Sequence, residues 1–296
     1  MFNCRKLAIV LTALTLTGAA FAQSDDDELK IAALEALIAA PPERALPLAT
    51  KALRGNNSDE VKEAALFVLG QIDMPEAHNI LIEVAQQGGG EVRLEAIRMI
   101  GISGHRDSLA KLRSVFDGGD GEVQEAVLEA YLIADDAQSV YDIALNTDNE
   151  EIYEKALETL GAMDAHEQLR QLRETKGVSE GLIEAYVIAD DVDSLREIAL
   201  DSSDPELQAE AIEMLGVVGG SGIEATLVDI YKSADSKKIR EAALEGMLIG
   251  DFDDAVLQLY RDSNDAAEKR DLLQYLVMMD SEAIYDVIDQ ALDGGL

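Results

Sequence analysis

The chain of 296 residues has a single cysteine, Cys4, three histidines and 24 basic residues against 59 acidic ones. Each shortage closes off a class of function. Cys4 lies in a leader-like opening, so a chain processed there would have no disulfide, no thiolate metal site and no cysteine nucleophile. Its stability would rest on burial alone, and with 48% hydrophobic residues there is ample material for a core. The shortage of Lys and Arg argues against nucleic acid and anionic lipid as partners, because both are bound by neutralising phosphate. After the opening segment no apolar run approaches the ~18 to 20 residues a spanning helix needs.

The opening segment, MFNCRKLAIVLTALTLTGAAFAQ, has the layout of a bacterial secretory signal. Arg5 and Lys6 form a basic start, Leu7 to Leu16 an apolar core and Ala20-Phe21-Ala22 a small-residue cleavage site, which predicts a cut after Ala22. Cys4 precedes the apolar core, so it is not placed for lipid anchoring. The mature chain is therefore expected to be periplasmic or secreted, monomeric, without cofactor and without membrane insertion. Loss of Arg5 and Lys6 takes its formal charge from −35 to −37.

What the chain has in quantity is one repeated pattern. From an aliphatic residue as slot zero, small or aliphatic residues recur at plus four, large apolar ones at plus five and plus eight, and Asp or Gly at plus twelve. Val61, Ala65, Leu66, Leu69 and Asp73 form one copy; Val123, Val127, Leu128, Tyr131 and Asp135 form another. Nine copies start near positions 29, 61, 92, 123, 152, 178, 207, 239 and 268. Their spacing of four, five and eight marks one stripe of a helix. A second amphipathic segment follows each plus-twelve residue, and Gly, Asn, Asp and Ser lead into the next copy. This reads as an all-α array of helix-turn-helix units occupying residues 23–296 as a single domain.

The stretches EVKEAALFVLG (60–70), EVRLEAIRMIG (91–101), ELQAEAIEMLG (206–216) and KIREAALEGM (238–247) resemble the HEAT-repeat family, in its short bacterial form of about thirty residues. The resemblance implies a right-handed α-solenoid that binds other proteins, with the solvent-facing second helices as the contact face. On that basis Asp142, Gln171, Glu197 and Gln258, seven residues beyond the turn residue, are the expected partner-binding positions. The family often carries Arg or Lys at plus one, as a polar ladder between repeats. Lys30, Lys62, Arg93, Arg240 and Lys269 fit, whereas the central Gln124, Tyr153, Ser179 and Gln208 depart, so the middle is expected to curve or pack differently. Some bacterial HEAT-like proteins also resemble bilin-attachment lyases, which leaves an enzyme as one alternative.

The plus-twelve column, with Asp73, Asp135, Asp164, Asp190, Asp251 and Asp280, is read as structural. An oxygen-bearing side chain at a helix start accepts orphan N–H groups, so these aspartates are expected to cap second helices. Glu60, Glu91, Glu122, Glu151 and Glu206 suit the dipole at the starts of first helices.

Charge supplies the functional lead. Residues 114–154 hold twelve acids and no base. Such a region attracts a basic protein surface or divalent cations, or else is a solvated face adapted to salt. The stretches at 117–122 (DGGDGE), 251–254 (DFDD) and 25–28 (DDDE) only echo a calcium loop. His78, His105 and His166 have no zinc-type spacing, and no nucleophile-elbow, phosphate-loop or kinase motif occurs. The reading is a non-enzymatic, exported repeat scaffold for a protein partner with a basic surface. A cation-responsive acidic envelope protein is the other alternative.

Overall fold

In the computed structural model, residues 25–279 and 283–292 are described. Eighteen α-helices form nine successive pairs, and no strand occurs among the described residues. They are α1 (Asp25–Glu35) and α2 (Pro42–Arg54), α3 (Asp59–Gly70) and α4 (Pro75–Gln87), α5 (Gly90–Ser103) and α6 (Arg106–Asp117), α7 (Gly121–Ala134) and α8 (Ala137–Asn146), α9 (Glu150–Ala162) and α10 (His166–Lys176). There follow α11 (Glu180–Ile188) and α12 (Val192–Asp201), α13 (Pro205–Val218) and α14 (Ile223–Ser233), α15 (Lys237–Ile249) and α16 (Asp253–Asp262), α17 (Ala266–Met278) and α18 (Ala283–Leu292). The chain divides into two compact units, one up to Ile143 and one from Ala144 on, where the sequence reads as a single array.

The stripe slots are the core. Val61, Ala65, Leu66 and Leu69 on α3 are fully buried, as are Leu182, Ile183 and Tyr186 on α11. Tyr131 and Tyr186, both in the plus-eight slot, are the largest fully buried side chains. The Tyr131 hydroxyl donates to the Leu109 carbonyl (3.4 Å), giving the buried phenol its polar partner. The unusually short period of 26 comes from α11, whose nine residues start two positions after Val178.

First helices of neighbouring repeats touch through their backbones. The plus-nine glycine of one repeat meets the plus-seven residue of the next. A Cβ on Gly101 would stand 2.7 Å from the Ala130 Cα, and one on Gly161 would stand 2.7 Å from the Ala185 carbonyl oxygen. One on Gly216 would overlap the Gly246 carbonyl oxygen. Glycine is fixed here by proximity.

The plus-twelve aspartates lie on the other side of the turn from their expected role. Asp135, Asp164, Asp190 and Asp251 have φ between 54° and 61° and end first helices in the left-handed conformation. The next residue's N–H then donates to the plus-eight carbonyl: Asp136 to Tyr131, Ala165 to Leu160, Asp191 to Tyr186 and Phe252 to Met247, all at 2.9 or 3.0 Å. This six-to-one bond is the Schellman closure of a helix C-terminus. Gly104 and Gly219 adopt positive φ in the same slot. Gly104 is left-handed like the aspartates, whereas Gly219 has a ψ of −155°; what the column shares is a positive φ, not a need for a carboxylate oxygen. Asp73 is exposed, has no positive φ and makes no cap; the residue before α4 is Met74, which gives no side-chain cap bond. Asp280 lies outside the described residues, as does the segment read as a signal.

Among the described residues, capping oxygens of second helices sit one residue later, in two repeats. Asp136 accepts from the Ser139 N–H and hydroxyl (3.2 and 2.7 Å), and Asp191 does the same for Ser194 (3.1 and 2.9 Å). First helices are capped by Asp120, Asn149, Ser179, Asp204 and Asp265.

The plus-one ladder also differs from expectation. Arg93 and Arg240 donate to Ala85 and Ala234 carbonyls at or just past the end of the preceding second helix (2.9 and 2.7 Å). Gln124 and Gln208 reach the equivalent Phe116 and Ala199 carbonyls (3.4 and 3.0 Å). A glutamine amide is thus a shorter donor doing the arginine's work. Tyr153 instead lies under the Lys176 ammonium (4.6 Å), which also donates to the Thr147 carbonyl (3.3 Å).

Candidate interaction surfaces

The four expected partner-binding residues all fall on second helices. Asp142 is exposed and accepts from Gln138 one turn earlier (2.9 Å); Gln171 donates to Glu167 (3.2 Å) and Gln258 to Asp262 (2.7 Å). Glu197 is held by the Arg173 guanidinium of the preceding second helix at 2.6 Å. Asp142 belongs to the first unit, and Gln171, Glu197 and Gln258 to the second. Each is already engaged locally, and Glu197 would have to give up an ion pair to meet a partner.

The first helices carry the acids that face one another. Glu210 lies beside Glu180 and Glu184 of the preceding first helix, and Glu213 beside Glu245 of the next. Burial first, and these neighbouring carboxylates second, push the acids of both Glu210 and Glu213 above the usual glutamate range. In the other unit burial and then Glu91 do the same to Glu63. The acidity is therefore a set of facing rows, which the linear charge count does not show.

These shifts have a measurable sign. A glutamate whose folded pKa is raised binds its proton more tightly in the native state, so stability rises as pH falls from neutrality toward 4.5. His78 acts oppositely. Burial, then the His105 ring 4.0 Å away, lower its pKa, so stability is lost below about pH 6.5 as the unfolded state takes the proton. In a His78→Asn variant at fixed ionic strength, the melting temperature is expected to rise between pH 6 and pH 5. Adding Glu213→Gln is expected to flatten that rise, as thermal circular dichroism would show.

Other polar groupings have structural explanations. His166 Nδ1 lies 3.2 Å from Asp191, which also holds Ser194. Here the carboxylate sits between serine and histidine, whereas activating a serine hydroxyl requires the histidine in the middle. Asp191 caps a helix and Ser194 completes the turn. A cleft of about 830 Å³ is bordered by α14 to α17, with Tyr231 donating to Glu268 (3.0 Å), Ser263 bonded to the same carboxylate, and Lys232, Lys237 and Arg240 on its rim. Burial and the Glu268 hydrogen bond raise the Tyr231 phenol far above its ordinary range, so it is a donor and not a base. Among the described residues no group of three or more His, Cys, Asp or Glu is arranged around a metal position, and no helix is long and apolar enough to cross a membrane.

Residues 15–88 and 46–131 match the family model for HEAT repeats. No curated protein matches the sequence. Among solved structures the chain is similar to the complex of CpcE and CpcF of phycocyanin lyase from Nostoc sp. PCC7120, at 19% identity over 81% of this chain and 94% of that one, with a TM-score of 0.35. Human deoxyhypusine hydroxylase in complex with glycerol shares 13% identity over 84% of this chain and 99% of its own, with a TM-score of 0.38. Kap121p bound to Pho4p shares 12% over 93% of this chain and 38% of its own, with a TM-score of 0.49.

Proposed function

We propose that HEAT-like repeats make up the whole mature chain and that it is an exported, non-enzymatic scaffold whose partner is a protein with a basic surface. The observation that carries this reading is the facing of carboxylates across successive first helices, where Glu210 and Glu213 are held against Glu180, Glu184 and Glu245. Rows of like charge cost folding stability, and a partner that neutralises them recovers it. Stacked repeats within a unit also present long polar faces, which suit an extended partner better than a small ligand.

The test is in-cell crosslinking with a tagged chain, followed by reconstitution with the purified captured protein. A single stoichiometric partner that rebinds in pure form is expected. Absence of any partner that rebinds overturns the reading. The export part is separate: mass spectrometry of the protein from the producing cell is expected to find Gln23 as the first residue. An intact Met1 in the cytoplasmic fraction contradicts it.

The contact between Glu213 and Glu245 also favours a second reading, a cation-responsive protein, because two facing carboxylates suit a divalent ion. That reading expects calcium chloride to raise the melting temperature beyond sodium chloride of equal ionic strength.

A further inference from the structure

Slots plus two, plus six and plus ten of a first helix follow at intervals of four and so lie on one face. In the second unit plus six is Glu158, Glu184, Glu213 and Glu245 on α9, α11, α13 and α15. Plus ten in the following repeats is Ile188, Val217, Ile249 and Met278, which are 47, 50, 49 and 64% exposed. Single exposed aliphatic residues are ordinary on a protein surface. Four consecutive repeats exposing one in the same slot, beside a row of glutamates, make a continuous two-row ridge. The rows run side by side from helix to helix: a Cβ on Gly161 would meet Ile188 at 3.1 Å, and Glu213 and Glu245 are in contact. Of the nearby lysines, Lys155 pairs with Glu158 at the start of the row, whereas Lys237 pairs with Glu241 and Lys238 with Glu206, both off it. Among the described residues Glu184, Glu213 and Glu245 have no basic partner within 4 Å. The chain's formal net charge of −35 makes a second copy repulsive overall, so the acidic row suits a basic segment of another protein.

We propose that the ridge formed by α9, α11, α13, α15 and α17 docks a basic amphipathic helix of another protein, with Lys or Arg on the glutamate row and aliphatic side chains on the plus-ten row. This rests on the protein-binding reading above and moves the contact from the second helices to the first. Spacing selects the helix. Packed helix axes lie roughly 8–10 Å apart. Seven residues of a partner helix crossing slightly obliquely advance about 10.5 Å and two turns, returning the same face to each repeat. An extended strand advances about the same distance in three residues, which turns its side chain to the opposite face. The partner's signature is therefore one base and one aliphatic residue every seven positions over four or five heptads.

The test is fluorescence anisotropy of the whole protein with a labelled 28-residue peptide carrying one Lys and one Leu per heptad, four apart, against a scrambled peptide of equal composition. The heptad peptide is expected to bind at least tenfold more tightly than the scrambled one. Glu184→Lys, Glu213→Lys and Glu245→Lys together are expected to weaken it by at least thirtyfold, and Ile188→Ser with Ile249→Ser by at least fivefold. Glu197→Lys and Gln258→Lys on the second helices are expected to change it less than threefold. Circular dichroism of each variant verifies folding, and the Ser and Lys sets act on different rows, so loss of one fold leaves the other to decide. Equal binding of the scrambled peptide overturns the proposal, as does a second-helix effect that matches the ridge effect. A captured protein whose binding survives ridge reversal sinks the ridge alone and leaves the scaffold reading standing. Failure to find any rebinding partner sinks that reading, while the peptide comparison still judges the ridge.

Discussion

Replacing Gly216 by alanine is expected to destabilise the second unit by about 3 kcal/mol, the upper part of the usual range for forcing a methyl group into a packed interior. The added Cβ would overlap the Gly246 carbonyl oxygen and lie 2.8 and 2.9 Å from its carbonyl carbon and Cα. All three are backbone atoms, so no side chain can rotate away; α13 and α15 must separate. The general preference of helices for alanine over glycine, about 1 kcal/mol, offsets only part of this. Gly181→Ala is the control. Its Cβ would meet nothing nearer than the Leu157 Cδ1 at 3.4 Å, within ordinary contact, so here the helix preference acts alone and the variant is expected to gain up to about 1 kcal/mol. Because repeats are coupled mainly to their neighbours, lost hydrogen-exchange protection in Gly216→Ala is expected to concentrate in α13 and α15. Equal stability of the two variants would mean that the first helices are not in backbone contact.

The second large effect separates two adjacent aspartates. Asp191→Ala is expected to cost about 2 kcal/mol, because it removes a buried cap and leaves the Ser194 N–H and hydroxyl without their acceptor. Asp190→Gly is expected to gain about 1 kcal/mol, since glycine takes the positive φ of 55° without the penalty a side chain carries there. Denaturant titration of both variants reads the difference. Reversed signs would restore the cap role first assigned to Asp190.

That assignment shows where sequence reading stops. Helix pairing and the core were legible because slots zero, four, five and eight can share a side only on a 3.6-residue helix, and the burial of Val61, Leu66 and Leu69 follows from that alone. The turn was not. Aspartate serves both as an oxygen acceptor before a helix and as a residue tolerant of left-handed backbone, and one letter does not say which. The alternation with Gly104 and Gly219 is the available signal, since glycine supplies a positive φ but no oxygen. At Gln124 and Gln208 the absence of charge conceals the ladder, because the Phe116 and Ala199 carbonyls need only a donor of sufficient reach.

The candidate surface was half visible. Glu184 with Ile188, Glu213 with Val217 and Glu245 with Ile249 stand four apart in the sequence, yet nothing in one helix says that its acid row continues onto the next. Only the backbone contacts at Gly161 and Gly216 bring the rows together. The second-helix positions came from resemblance, and the structure shows Glu197 already paired with Arg173.

Whether the chain is an acidic repeat scaffold for a basic protein is decided by calorimetric titration of the purified partner obtained by crosslinking, at 0.05 and 0.5 M sodium chloride. A one-to-one complex that weakens at least tenfold at the higher salt is expected, as screening removes the attraction between exposed charges. No complex in pure form, or one whose affinity is unchanged by salt, would contradict it.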